Sequence, residues 1–194
     1  MGIRRQLVKK VQKVFWIYLA EIFVVAHTHE LARTFPKIAC ELIPISDQNC
    51  DRVMDFREKD VATEFLRKIR CGEVGLFAVH NGQIVGSVWA TINSSTTPKI
   101  VRGFIRLMPK EALIHDIVTS AKYRGLGIGG FMLTGISRVL FRKHEAVRII
   151  IDVNVRNASS LKMMRNTGVE AKQRCLSISI FQRPVFVKIL SVYG

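Results

Sequence analysis

Alternating apolar and polar positions divide most of this chain into short strands and helices. The clearest strand pair covers Val74–His80 and Gln83–Ile92, joined by Asn81 and Gly82. Because Asn and Gly readily adopt the positive φ values of a two-residue turn, this pattern predicts a β-hairpin. Further strands are predicted over 38–45, 112–119, 147–153, 176–180 and 185–192, and helices over 47–57, 61–69, 131–143 and 157–166.

The first 36 residues have a different pattern from the rest. Over residues 3–22, apolar positions recur every three or four residues with basic side chains between them, which predicts a basic amphipathic helix. The apolar part, residues 14–26, is shorter than the roughly 20 residues that cross a bilayer. Three interpretations stay open: a helix in the membrane interface, a helix packed on the domain, and a cleaved presequence. We therefore divide the chain into an N-terminal segment, 1–36, and a domain, 37–194.

Composition narrows the possible partners. The chain has 194 residues, with 30 Lys and Arg against 15 Asp and Glu, so its net charge is +15. This charge favours an anionic partner, which could be nucleic acid, an anionic membrane, an acidic carrier protein or a phosphorylated cofactor. No helix-turn-helix, RNA-recognition or zinc-finger pattern is present, so we expect no nucleic acid. Four separated cysteines predict reduced thiols in a cytoplasmic protein, at the inner face of the membrane if the N-terminal helix binds lipid. We expect no metal, because His27 and His29 are the only close histidines.

A glycine-rich stretch follows the strand predicted over 112–119. A strand that turns through glycines into a helix offers converging N–H groups and the positive end of the helix dipole, which suit a phosphate. The stretch comprises Arg124, Gly125, Leu126, Gly127, Ile128, Gly129 and Gly130.

This stretch resembles the signature of the GNAT superfamily of N-acyltransferases, in which Arg or Gln is followed by two residues, Gly, one residue, and Gly or Ala. Asn157, eleven residues before Gly168, resembles the family's following helix. The resemblance covers residues 38–190. It implies an α/β (α+β) fold with a mixed, mostly antiparallel sheet flanked by helices, here with an extra N-terminal amphipathic helix. It also implies an acyl-CoA co-substrate, bound by the glycine stretch and Asn157.

The resemblance also implies where the chemistry takes place. Backbone amides near Ile117, Val118 and Thr119 are expected to bind the donor and stabilise the oxyanion of acyl transfer. Asp116 and, second, His115 are the candidate bases that accept a proton from a primary amine. The tyrosine that family members use as an acid is replaced by Met164, so water, Ser160 or Tyr123 is a candidate for that step.

Competing functions stay open at this stage. One is an enzyme like the N-acyl amino acid synthases, which takes a fatty acyl group from an acyl carrier protein, with an amine or amino acid as acceptor. Another is an inactive membrane-binding module on the same fold. A third is dinucleotide binding, because Gly125, Gly127 and Gly130 match the G-x-G-x-x-G fingerprint and Asp152 follows at the distance of a ribose-binding acid. The late position of the fingerprint and the preceding hairpin argue against this third function.

Overall fold

The computed structural model describes residues 15–26, 31–32, 34–58, 60–102, 104–181 and 183–193. In chain order the elements are β1 (Phe15–Ala26), β2 (Glu41–Pro44), a 3-10 helix (Cys50–Asp55), α1 (Asp60–Arg70), β3 (Val74–His80), β4 (Gln83–Ile92), β5 (Lys99–Val101), β6 (Ile105–Leu107), β7 (Glu111–Thr119), a second 3-10 helix (Ala121–Tyr123), α2 (Ile128–Lys143), β8 (Arg148–Asn154), α3 (Ala158–Asn166), β9 (Ala171–Ile180) and β10 (Arg183–Val192). Eight strands of the described residues form one sheet in the order β10-β9-β1-β8-β7-β4-β3-β2, and β5 and β6 form a separate hairpin.

Strands β7 and β8 are the parallel pair of this otherwise antiparallel sheet in the described residues. Their ladder ends at Ile114 and Ile151. Beyond that point β7 continues beside β4 to Thr119, whereas β8 continues beside β1 to Asn154. A gap therefore opens between two neighbouring strands in the middle of the sheet, and the expected mixed, mostly antiparallel sheet flanked by helices is confirmed.

The two faces of the sheet are covered differently. Helices α2 and α3 pack on one face, which we call the helical face, around residues such as Ile114, Ile136 and Met164. The opposite face is covered in two parts. Helix α1 packs on β3 and β4 around Trp89, and the β5–β6 hairpin packs on β1, β8 and β9 around Leu113.

Local sequence explains the connections that were predicted correctly. Asn81 and Gly82 have φ values of +48° and +76°, so the hairpin turn between β3 and β4 is confirmed. Gly168, with φ of +74°, follows the end of α3 and breaks that helix, as expected.

The helix predicted over residues 3–22 is wrong from residue 15 onward, and residues 3–14 lie outside the described residues. Residues 15–26 form β1, which lies between β8 and β9 and pairs with both. A strand covered on both faces reads as a nearly continuous apolar run, and this run is rich in aromatic and β-branched residues that favour strands. Strand β1 thus belongs to the same sheet as the domain expected to begin at residue 37. The membrane contact predicted for residues 3–22 depended on an amphipathic helix, and residues 15–22 do not form one.

Smaller differences concern short elements. The helix predicted over 47–57 is a 3-10 helix of six residues, the first strand is shortened to Glu41–Pro44, and the β5–β6 hairpin was not predicted. Among the described residues, no helix is both long and apolar enough to span a bilayer.

Candidate active site

The glycine turn joins the end of β7 to the first turn of α2. Gly125 and Gly127 have φ values of +78° and +81°, which side chains with a Cβ rarely adopt. Gly127 is the N-cap of α2. A Cβ at this position would lie 3.2 Å from the carbonyl oxygen of Phe35. The N–H of Lys37 donates a hydrogen bond of 2.8 Å to the carbonyl of Leu126, so the segment before β2 supports the turn.

The N–H groups of this turn are free to bind a ligand. Among the described residues, the N–H groups of residues 125–127 donate no hydrogen bond. Those of residues 128–130 begin α2, where the first N–H groups of a helix have no partner within it. Such N–H groups and the helix dipole together attract an anion. The turn therefore has the donors and the dipole that suit an anionic group such as a phosphate.

Gly129 connects this turn to the part of β7 that has left β8. A Cβ at Gly129 would lie 3.0 Å from Met163 Sδ on α3, 3.9 Å from Thr119 Oγ1 and 4.0 Å from Ile117 Cγ2. The start of α2, the end of β7 and α3 thus converge at this glycine. The free N–H groups lie next to the gap, and so do residues 117–119, the stretch with Val118 that was predicted to bind the donor.

Two further predicted donor-binding residues have contacts within the protein. Asn157 is the N-cap of α3, and its Oδ1 accepts hydrogen bonds from Ser160 N–H at 3.1 Å and Ser159 Oγ at 2.9 Å. Arg124 Nε donates to the carbonyl of Thr119 at 3.4 Å. These contacts fix both side chains beside helix N-termini, and their contact with a donor stays a prediction.

His115 lies on the opposite face, one residue past the last pair between β7 and β8. Its Nε2 is 3.1 Å from Thr91 Oγ1 and 3.2 Å from Glu73 Oε2. The side chains of His115 and Glu73 are 12% and 13% exposed. Glu73 Oε2 has no aligned hydrogen bond in the described residues, so its contact with His115 is one of charge and proximity. His115 Nδ1 makes no hydrogen bond in the described residues.

Asp116 is held by two cations. It has a φ of +52°, at the point where the register between β4 and β7 shifts. Its carboxylate lies 2.7 Å from Lys68 Nζ and 3.4 Å from Arg57 Nη1. The Lys68 side chain is 5% exposed and lies over the rings of Phe65 and Trp89. These ion pairs favour a structural role for Asp116, which anchors a buried ammonium group and a bulge.

Asp152 lies across the gap from His115. Leu113 and Ile150 are paired and share a face, so the next residues on that face are His115 and Asp152. The Asp152 side chain is fully buried, and it accepts hydrogen bonds from Tyr18 Oη at 2.7 Å and Arg102 Nη1 at 3.3 Å. Burial, followed by the charge of Asp152 and this hydrogen bond, raises the pKa of Tyr18, so its phenol stays protonated.

The structure thus gathers the predicted residues on two sides of one gap. It also adds Glu73, Lys68 and Tyr18, which sequence reasoning missed because they come from a loop, from α1 and from the supposed N-terminal helix. Lys68 gave a weak signal, since it falls beside the apolar positions of α1. Met164, at the place of the family's tyrosine, is fully buried in the core of the helical face and has no acidic proton to give.

A sequence profile described as the acetyltransferase (GNAT) family matches residues 43–169, and the chain belongs to this family of transferases. Its enzymes use acetyl-CoA or another acyl-CoA. No curated protein sequence matches the chain. The dinucleotide alternative is wrong, because the sheet is mostly antiparallel and Asp152 lies on the face away from α2.

Solved structures show the same fold. A GCN5-related N-acetyltransferase from Kribbella flavida is 13% identical with a TM-score of 0.57, and the match covers 91% of this chain and 62% of that one. A GNAT-family acetyltransferase from Colwellia psychrerythraea is 12% identical with a TM-score of 0.59, covering 92% and 61%. AAC(6')-Iy, in complex with the bisubstrate analog CoA-S-monomethyl-acetylneamine, is 14% identical with a TM-score of 0.54, covering 68% and 91%. The chain therefore spans less than two thirds of the length of the first two proteins.

Proposed function

We propose that this protein transfers an acyl group from acyl-CoA to a primary amine, which attacks the thioester directly. The observation that carries the proposal is the row of N–H groups over residues 125–130, which have no hydrogen-bond partner in the described part of the chain or begin α2, next to the gap between β7 and β8. These groups would bind the donor's pyrophosphate, with Arg124 and Asn157 beside it. The N–H groups near residues 117–119 would stabilise the negative charge that develops on the thioester oxygen, and losing one such donor costs about 3 kcal/mol.

His115 is the base in this proposal. Its Nε2 lies 3.1 Å from Thr91 Oγ1 and 3.2 Å from Glu73 Oε2, which hold the ring in place. In this proposal the ring nitrogen that carries no proton accepts the proton of the amine. Glu73 acts as a positioning residue. Asp116 is the weaker candidate, because Lys68 and Arg57 already occupy its carboxylate. Its part is to hold β7 in the bulged conformation that follows His115.

The acceptor is a small-molecule amine or amino acid in this proposal. An amine acceptor is supported by the fold that the chain shares with AAC(6')-Iy, whose bound analog joins CoA to acetylneamine. The alternative donor is a fatty acyl group on an acyl carrier protein, as in N-acyl amino acid synthases. The net charge of +15 is the feature that favours it, since it would attract an acidic carrier protein.

Thermal unfolding with separate ligands tests the donor. Coenzyme A, acetyl-CoA, a long-chain acyl-CoA, an acyl carrier protein and NADH are compared at equal excess. A ligand at 100 times its dissociation constant adds about 2.7 kcal/mol, which raises the midpoint of a chain this size by about 5–10 °C. We expect a shift with the coenzyme A series and none with NADH. A shift with the acyl carrier protein alone would show that the carrier protein, and not acyl-CoA, is the donor. No shift with any of these ligands would contradict the proposal.

A further inference from the structure

The two covers of the opposite face carry different charges. The segment 41–73, which includes α1 and packs on β3 and β4, has 8 of the 15 acidic residues and 6 basic residues, so its net charge is −2. The segment 93–110, which includes the β5–β6 hairpin and packs on β1, β8 and β9, has 4 basic and no acidic residues, so its net charge is +4. In the order of the strands, the gap between β7 and β8 separates these two halves of the sheet. A molecule bound at the gap on this face therefore lies between an acidic and a basic cover.

Arg102 brings the positive charge of the hairpin to the gap. It lies in the turn between β5 and β6, and its Nη1 donates a hydrogen bond of 3.3 Å to Asp152 Oδ1. Asp152 directly follows Ile151, and His115 directly follows Ile114, the last pair of the ladder between β7 and β8. Because neighbouring strands lie about 4.8 Å apart, Asp152 and His115 stand side by side where the strands begin to separate. Arg102 thus lies across the gap from the proposed base.

The guanidinium group of Arg102 is held in place and still has donors to offer. The Asp152 side chain is fully buried, and its Oδ2 accepts a hydrogen bond of 2.7 Å from Tyr18 Oη, so the carboxylate that holds Arg102 is itself fixed. The Arg102 side chain is 45% exposed, and its bond to Asp152 is the one hydrogen bond that it makes in the described residues. A guanidinium group has five N–H donors in a rigid fork that matches a carboxylate. The other donors of Arg102 are therefore available to an anionic group of a ligand.

The backbone conformation of Arg102 favours a role for its side chain. Its φ is +49°, a left-handed conformation that glycine and asparagine adopt at lower cost than arginine does. The turn between β3 and β4 shows the ordinary choice, with Asn81 and Gly82 at positive φ. An arginine at such a position therefore indicates that the side chain has a task. That task is either to fasten the hairpin to the sheet or to bind a ligand, and the two differ in their effect on acceptor choice.

We infer that the acceptor is an amino acid whose carboxylate binds Arg102 while its amine lies in the gap beside His115. This inference rests on the proposed acyl transfer and names the substrate class of the same site. An amino acid carries amine and carboxylate on one carbon, which suits a base and a guanidinium group on either side of one gap. Its charges also match the covers, with the amine toward the side of Glu73 and the carboxylate toward the hairpin. The neutral amine bonds to the acyl carbon, the carbon–sulfur bond breaks, the amine proton passes to His115, and coenzyme A leaves as a thiolate.

The test compares each common amino acid with its carboxamide, which keeps the amine and lacks the carboxylate, as acceptors of the full chain. Release of coenzyme A thiol from acetyl-CoA or a longer acyl-CoA is measured. We expect kcat/KM to be at least about tenfold higher for the preferred amino acid than for its amide. Arg102→Gln should raise the KM for this amino acid about 10- to 100-fold and leave its kcat and the KM for the amide unchanged. The matched control is Arg106→Gln, which changes an exposed arginine on β6 of the same hairpin and should behave as wild type does.

Three outcomes of this assay would overturn the inference. Wild type could use the amides as well as the amino acids, or prefer a phosphorylated amine to every amino acid. Arg102→Gln could also impair both acceptors equally, which would show that the ion pair with Asp152 only fastens the hairpin.

Calorimetry separates this inference from the proposed function. Each amino acid is titrated into the protein saturated with coenzyme A, which has no acyl group to transfer. Binding that is about 10- to 100-fold weaker in folded Arg102→Gln supports the inference even if no acyl transfer is found. Thiol release with amines that lack a carboxylate, without binding of any amino acid, would leave the proposed function standing and overturn the inference. If neither coenzyme A nor any amino acid binds, both are overturned.

Discussion

The two sides of the gap between β7 and β8 are built in different ways. On the helical face, the proposed donor site consists of backbone N–H groups supplied by six consecutive residues, 125–130. On the opposite face, His115 is surrounded by side chains from separate elements, with Thr91 on β4 and Glu73 just before β3. A backbone site needs local conformation, and a side-chain site needs the whole fold. The first can tolerate most changes outside its glycines, while the second depends on distant partners.

The largest expected effect is at the glycine turn. Gly127→Glu should abolish donor binding, weakening it more than 100-fold, because it forces a side chain into a φ of +81° and adds a negative charge where a phosphate would bind. Calorimetric titration with acetyl-CoA measures this. Gly72→Glu is the matched control, since Gly72 also has a positive φ, +74°, and has open space around it. Equal binding by wild type and Gly127→Glu would remove the turn from the donor site.

On the opposite face, changes should affect turnover without affecting donor binding. His115→Gln is expected to lower kcat by about 10² to 10⁴, the usual contribution of a general base. The dissociation constant for acetyl-CoA should change less than twofold. Glu73→Gln should lower kcat about tenfold at an unchanged donor KM, with partial rescue in Glu73→Asp, because Glu73 orients the base. Turnover of His115→Gln at the wild-type rate would show that His115 is not the base, and that the opposite face does not carry the catalysis.

Asp116 is expected to affect stability. Asp116→Asn removes the charged partner 2.7 Å from Lys68, whose side chain is 5% exposed. Because Asp116 is itself partly exposed, we expect a loss of about 2 kcal/mol, which is below the roughly 3–5 kcal/mol of a fully buried pair. Urea unfolding measures it. The control is Glu145→Gln in the exposed pair with Lys110, which should cost less than about 0.5 kcal/mol. Unchanged stability with a fall in kcat would return Asp116 to the chemistry.

The smallest effect concerns Tyr18 and depends on pH. Its pKa is raised in the folded protein, so the folded state binds this proton more tightly than the unfolded state does. The resulting stability is complete below the ordinary tyrosine pKa of about 10 and declines as pH rises above it. Tyr18→Phe should therefore lose about 1 kcal/mol at pH 8 and a smaller amount above pH 10. A constant difference between the two proteins over this range would contradict the account of Tyr18.

The contrast between the two sides also explains what could be predicted from sequence. The hairpin turn at Asn81 and Gly82, the helix end at Gly168 and the glycine turn all depend on backbone conformations that glycine or asparagine makes accessible, so neighbouring residues are enough to identify them. The partners of His115 could not be predicted in this way. Glu73 and Thr91 reach it only because β3, β4 and β7 lie side by side.

The prediction of a helix for the N-terminal segment was wrong for a related reason. Residues 15–26 are apolar nearly throughout, and a continuous apolar run fits a helix and a strand covered on both faces equally well by spacing alone. Residues 15–26 form a strand because β8 and β9 both offer backbone hydrogen-bond partners to a strand between them. No pattern within residues 15–26 indicates this pairing with distant strands. Because residues 15–26 form a strand beside β8, Tyr18 contacts Asp152, although no sequence motif lies near it.

The most direct test of the central claim is the release of free coenzyme A thiol from acetyl-CoA, or from a longer acyl-CoA, in the presence and absence of primary amines. The account predicts amine-dependent thiol release by wild type, strong reduction in His115→Gln and none in Gly127→Glu. Binding of coenzyme A without amine-dependent release for any acyl chain length or amine would contradict it, and would make the protein a binding module on a transferase fold.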